Sequence, residues 1–172
     1  MSADEIKSSE NGKENTMERE ELFSATFEQA AVGIAHMAPD GQWLRVNRKL
    51  CDIVGYSRDE LIKLTFQDIT FPADLETDLE YVRQMLADEI KTYSMEKRYI
   101  RKDKSIVWIN LTVSLVRKHS GEPEYFISVV EDIMGHKQAE AALRETQRQL
   151  TLLIANLPGV VYRCRWKLGT HP

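Results

Sequence analysis

Glycine is scarce and widely spaced in this 172-residue chain. Its eight glycines never lie closer than eight positions apart, so no G-x-G turn, no G-x-x-x-x-G-K-[ST] phosphate loop and no G-x-S-x-G elbow exists. Cysteine is limited to Cys51 and Cys164, far apart and outside any C-x-x-C, which supports neither a disulfide framework nor a zinc site. The four histidines (His36, His119, His136, His171) are dispersed, and H-E-x-x-H and EF-hand patterns are missing, so no metal ligand set is expected. No apolar run approaches the ~18 residues of a membrane span. The N-terminal residues carry no apolar stretch of the kind a secretory signal needs, and the expected location is cytoplasmic. An excess of basic residues is missing too. Lys and Arg number 23 against 27 Asp and Glu, a net charge of −4, which argues against nucleic-acid or anionic-membrane partners.

What is present begins with an acidic tail. Residues 1–21 hold seven acids and three bases, so the remaining 151 residues are balanced. Residues 1–17 have too few apolar side chains to offset the entropy of ordering and are expected to be disordered, either as mere solvation or as a partner-recruiting tail. From Glu18 the spacing of Leu22, Phe23, Phe27 and Ala30 predicts a short amphipathic helix. Val32–Ala38 and Gln42–Val46 read as a hairpin around Pro39-Asp40-Gly41. Asn47 is placed to cap a helix that Gly55 stops, and Ser57-Arg58-Asp59-Glu60 has the form of a capping box. Phe66–Ile69 is at most one turn. Pro72 opens a longer helix to about Ala87, with Leu75, Leu79, Val82 and Leu86 as its apolar stripe.

The period then changes. Thr92–Ile100, Ile106–Val116 and Glu124–Ile133 read as three β-strands joined by short turns. In the middle strand Val107, Ile109, Leu111, Val113 and Leu115 alternate with Trp108, Asn110, Thr112 and Ser114, a strand with one buried face. From Met134 to Leu157 the pattern is helical again. His136, Leu143, Leu150 and Leu157 recur every seven residues with Ala139, Thr146 and Leu153 between them. Two readings stay open: a short dimeric coiled coil, or a helix packed on its own domain.

No catalytic constellation emerges. Cys51, between Leu50 and Ile53, reads as buried apolar filler. His136 lacks the neighbouring acid that would orient its imidazole as a phosphoacceptor.

Two strands, a cluster of short helices and a three-stranded meander resemble the Per-Arnt-Sim (PAS) sensory fold. The local segments agree. Asp40-Gly41 precedes Val46-Asn47. Gly55-Tyr56-Ser57 with Glu60-Leu61 resembles the family's G-Y-S-x-x-E-L segment, and Pro72-Ala73-Asp74 its H-P-x-D region. Glu96–Tyr99 with Lys102-Asp103 resembles E-x-R-x-x-x-K-D-G, Lys104 standing where glycine is usual. Trp108 holds the tryptophan position of the fourth strand. Glu131-Asp132-Ile133 is similar to the terminal D-I-T junction, Met134 replacing the capping Thr; two readings stay open, Asp132 as a substitute cap or a junction looser by ~1 kcal/mol. The resemblance covers about residues 20–145. Leu152–Arg165 resembles the first helix and strand of a second PAS unit, so the chain is expected to be a truncated piece of a tandem-PAS protein.

The resemblance implies an α+β fold: a five-stranded antiparallel sheet in the order 2-1-5-4-3, short helices on one face, an N-terminal helix and a long C-terminal linker helix. It implies a tail over 1–17, a PAS domain over 18–133, a linker helix over 134–157 and the start of a second PAS over 158–172. It implies a sensory or dimerising input to a bacterial histidine kinase or cyclic-diguanylate enzyme, with no catalytic domain in this chain. A small-molecule ligand can sit between sheet and helices; candidate pocket residues are Ile34, His36, Val54, Val82, Tyr93, Met95, Ile109, Leu111 and Ile127, with plain core packing as the alternative. Flavin is disfavoured because Cys51 lacks the N-C-R-F-L context. Haem is disfavoured because Asp74–Ala87 holds no histidine. The ligand, if any, is unassigned, and a pure interaction domain with a filled core is the other reading. Glu131, Asp132, Ile133 and Lys137 are the expected signal relay. Leu143, Leu150, Leu153 and Leu157 are the expected seam of a homodimer.

Overall fold

The structure, a computed structural model, describes residues 17 and 19–156. The expected acidic tail and the start of a second repeat, with Leu157, lie outside the described residues. Helix α1 spans residues 19–29. Strands β1 (Gly33–Met37) and β2 (Trp43–Val46) follow as a hairpin, turned at Gly41, whose φ of 94° needs glycine. Then come α2 (Arg48–Val54), α3 (Arg58–Leu61), α4 (Phe66–Ile69) and α5 (Pro72–Leu86). Strands β3 (Thr92–Ile100), β4 (Ile106–Arg117) and β5 (Pro123–Asp132) complete the sheet, and α6 (Met134–Asn156) leaves it. The strand order is β2-β1-β5-β4-β3, antiparallel throughout, as expected.

The caps expected from sequence form. The Ser57 hydroxyl and Glu60 carboxylate exchange bonds across the first turn of α3. Asn47 does more than cap α2. Its Oδ1 accepts from the Leu50 and Ile34 amides, and its Nδ2 donates to the Phe27 and Val32 carbonyls. One fully buried amide therefore ties the end of α1, the start of β1 and the start of α2 together.

The core lies between the sheet and α2–α5. Ala35, Met37, Tyr93, Tyr99, Val107, Ile109, Leu111, Val113, Phe126 and Val130 are buried from the sheet. Trp43 and Val46 on β2, Leu50, Ile53, Val54, Leu61, Phe66, Ile69 and Met85 complete it. The stripe of α5 differs from expectation. Its fully buried residues are Asp78 and Met85, while Leu75, Leu79, Val82 and Leu86 pack half-buried against the core. Beyond Gly135 the α6 segment is a unit of its own, and its Leu143, Leu150, Leu152, Leu153 and Ile154 are exposed.

Candidate functional site

The strongest chemical feature of the interior is a buried charge pair. The parity of β3 that buries Tyr93 and Tyr99 also points Lys97 inward, and Lys97 is 1% exposed. Three and four residues from Leu75 and Val82, Asp78 faces the same space from α5. The Lys97 ammonium donates to the Asp78 carboxylate and to the Thr70 hydroxyl at 3.1 Å. Its charge also sits 4.6 Å from the Tyr99 ring centroid and 5.3 Å from that of Phe66. The other Asp78 oxygen accepts from the Tyr93 hydroxyl at 2.7 Å, and Tyr81 stacks on Tyr93. Burial pushes the Lys97 ammonium towards lower pKa, with the attraction of Asp78 opposing. Burial, then Asp78, pushes the Tyr93 phenol up, which keeps it a donor.

Beside this cluster lies a cavity of about 10 Å³, close to the minimum for one water. Asp78, Lys97, Tyr93 and Tyr99 supply its polar wall, and Met37, Phe66, Val82, Leu111, Val113 and Phe126 its apolar wall. Of the candidate pocket residues, Val82, Tyr93 and Leu111 line it. Val54 and Ile109 are buried in the core elsewhere, and Met95 packs half-buried against it. Ile34, His36 and Ile127 do not line it: they lie on the opposite face of the sheet. Ala35 and Met37 take the inner parity of β1, and His36 pairs with Ile127 in register. There the His36 ring meets Phe23 and Phe27 of α1 and Tyr125 of β5. Arg45 of β2 lies over both phenylalanine rings. Burial and Arg45 hold the His36 pKa below its usual value.

Helix α5 is fastened to the sheet by polar clasps as well as by its apolar residues. Asp74 takes Arg98 through both carboxylate oxygens at 2.6 and 2.9 Å and accepts the Arg98 amide at 2.8 Å. Arg98 is itself stacked between Phe71 and Trp108. At the other end the Arg117 guanidinium donates to the Met85 and Leu86 carbonyls, satisfying the end of the helix. Asp78 is the middle clasp.

A second constellation sits where β5 becomes α6. The Asp132 carboxylate accepts from the Met134 amide at 2.8 Å, supplying the cap that a Thr would give. Its other oxygen faces Arg101 at 3.4 Å. The same guanidinium donates from Nε to the Ile53 carbonyl at 2.8 Å. The Ile133 amide donates to the Trp108 carbonyl. The last turn of α2, the β3–β4 turn and the start of α6 therefore meet on one arginine. Of the expected relay residues, Asp132 and Ile133 make these contacts and Glu131 is exposed on β5. Lys137 lies one turn on in α6. Among the described residues no group of three or more metal-ligating side chains occurs, and no helix is long and apolar enough to cross a membrane.

A family model described as "PAS fold" matches residues 44–130. The probable diguanylate cyclase DgcE of Escherichia coli K12 is 42% identical over 156 residues, which is 91% of this chain and 14% of that protein. The sensor histidine kinase TmoS of Ectopseudomonas mendocina is 28% identical over 131 residues, 76% of this chain and 14% of that protein. The chain thus spans about one seventh of the length of these two curated relatives. Among solved structures, the PAS domain of a protein from Colwellia psychrerythraea superposes with a TM-score of 0.62 at 18% identity. That match covers 67% of this chain and 97% of that one.

Proposed function

The chain belongs to the PAS-fold family, and from that membership we propose that it is the sensory and dimerising module of a larger bacterial signalling protein. The output domain, a diguanylate cyclase or a histidine kinase, lies outside this chain on this reading, and Leu152–Arg165 begins a second PAS unit in tandem. The state of the interior reaches the output through β5 and α6. The observation that carries this reading is the Arg101–Asp132 junction. One side chain holds the end of α2, which packs on the core, and the carboxylate that caps α6. A shift of α2 or of the sheet therefore changes how firmly the first turn of α6 is held, and a two-state equilibrium needs only a small bias to respond. The exposed leucines of α6 at 143, 150 and 153 recur at coiled-coil spacing and support association with a second copy. Location in the cytoplasm accompanies this reading.

Arg101→Ala tests it, because the substitution leaves every interior side chain in place. Hydrogen exchange should speed at the last turn of α2 and at the first turn of α6 together. A change confined to α2 would contradict the relay.

A further inference from the structure

We propose that His36 makes α1 an acid-released latch over the outer face of the sheet: a proton on its ring frees the N-terminal half of the helix from β1 and β5. The proposal concerns the face opposite the interior and stands apart from the sensory reading above.

The two ends of α1 are held differently. At its C-terminal end the Phe27 carbonyl accepts from Asn47, and the Glu28 carboxylate accepts from the Arg48 amide and, at 2.7 Å, from Arg58. No hydrogen bond or ion pair among the described residues ties residues 19–24 to the sheet. That half is held by a stack of rings. Phe23 lies against Phe27 and His36, with centroids 6.2 and 6.5 Å away. Phe23 is 51% exposed in place, so opening this half uncovers little apolar area. Local openings are drawn from such weakly held segments.

His36 is the member of the stack whose charge changes near neutral pH. Around it α1 presents Phe23 and Phe27, β2 presents Arg45, and β5 presents Tyr125 and, in register, Ile127. No carboxylate is among these neighbours, and no hydrogen bond from the described residues reaches the ring. A charged imidazole would sit beside the Arg45 guanidinium with no anion to offset either. Ring faces compensate little. Arg45 already lies 4.4 and 5.1 Å from the centroids of Phe27 and Phe23, which leaves Tyr125, at 5.1 Å, as the face His36 does not share.

Burial and Arg45 therefore keep the ring pKa below 6.5 while the latch is shut. Released into water, the ring takes up its proton at about 6.5. The latch is fully held above that value and loosens as pH falls from 6.5 through the lowered one. The face it uncovers includes Ile127 of β5, the strand that continues into α6.

Amide exchange of the 172-residue chain is compared at about pH 7.5 and about pH 5.5, each rate divided by the intrinsic rate at that pH, and the His36 ring is titrated by NMR. The amides of α1 ahead of Phe27 should lose protection severalfold at the lower pH while those of β4 keep theirs, and the ring should titrate below 6.5. His36→Gln, neutral at both pH values, should show the same protection in α1 at each. A ring that titrates at or above 6.5, no loss of protection in acid, or a loss that persists in His36→Gln overturns the proposal. If His36→Gln does not fold, the ring titration and the two-pH comparison in the unaltered chain decide it.

Discussion

Replacing Lys97 by Met deletes the buried ammonium and keeps the length of its stem. It leaves the Asp78 carboxylate, 1% exposed, with the Tyr93 hydroxyl as its remaining bond. Removing one partner of a buried pair costs ~3–5 kcal/mol. The Tyr93 bond and the option of protonating Asp78 place this variant near the lower end. Asp78→Leu is harsher, because Lys97 keeps only Thr70 and two ring faces, and it belongs near the upper end of that ~3–5 kcal/mol range. The double variant Lys97→Met/Asp78→Leu removes both charges and fills the space with apolar atoms. Thr70 still donates to the Phe66 carbonyl at 2.8 Å, so the main residual loss is the acceptor of Tyr93, about 1–2 kcal/mol. The double variant is therefore expected to be more stable than either single one, with a coupling of at least ~3 kcal/mol. Urea unfolding at neutral pH, with unchanged m-values, measures all four corners of the cycle. Additive losses, or a Lys97→Met penalty under ~1 kcal/mol, would show that the ammonium reaches water and is not held as described.

Other outcomes follow from the same contacts. Asp132→Ala removes the acceptor for the Met134 amide and should weaken the start of α6 by about 1 kcal/mol, read as faster exchange in its first turn. Asp132→Asn, which keeps an acceptor oxygen, should recover most of that loss. The Glu60 carboxyl, held by Lys102 and by the Ser57 amide, has its pKa lowered from 4.5 to about 2. Its contribution is thus complete above the unfolded value and is lost as pH falls from 4.5 towards 2. Glu60→Gln should flatten that acid limb in urea midpoints measured across pH; an unchanged limb would remove Glu60 from the account. Leu150→Asp with Leu153→Asp places charge on the exposed stripe of α6 and should convert a dimer to a monomer in sedimentation equilibrium, with the sheet domain still folded.

Most of the fold was legible because its signals are local. The Gly41 turn, the Asn47 cap, the Gly55 stop and the Ser57–Glu60 box each require particular residues at fixed spacing. The period-2 pattern of β4 marked its buried face without ambiguity. The inward parity of β1 was not legible. Gly33-Ile34-Ala35-His36-Met37 is apolar on both faces because α1 covers the outer one, so hydropathy could not say that Ile34 and His36 point away from the core. Ile127 follows them through its pairing with His36. The Lys97–Asp78 pair leaves a partial signal in the sequence. Lys97 shares the parity of Tyr93 and Tyr99, and Asp78 interrupts the stripe of α5, so each charged residue stood at a core position. Only the register of β3 against α5 shows that the two meet, and that is a tertiary fact. The role of Arg101 is not legible for the same reason: it lies 48 positions from Ile53 and 31 from Asp132.

The central claim is that the interior and α6 are coupled. Amide hydrogen exchange of the Lys97→Met/Asp78→Leu variant tests it directly, since that variant stays folded on the stability argument and alters the interior alone. The account predicts changed protection at the Asp132 junction, which lies one strand beyond Lys97 in register (Lys97 pairs with Ile109 and Ile109 with Asp132), and onward through the first turns of α6. Changes confined to α5 and β3, with α6 exchanging as in the unaltered chain, would contradict it.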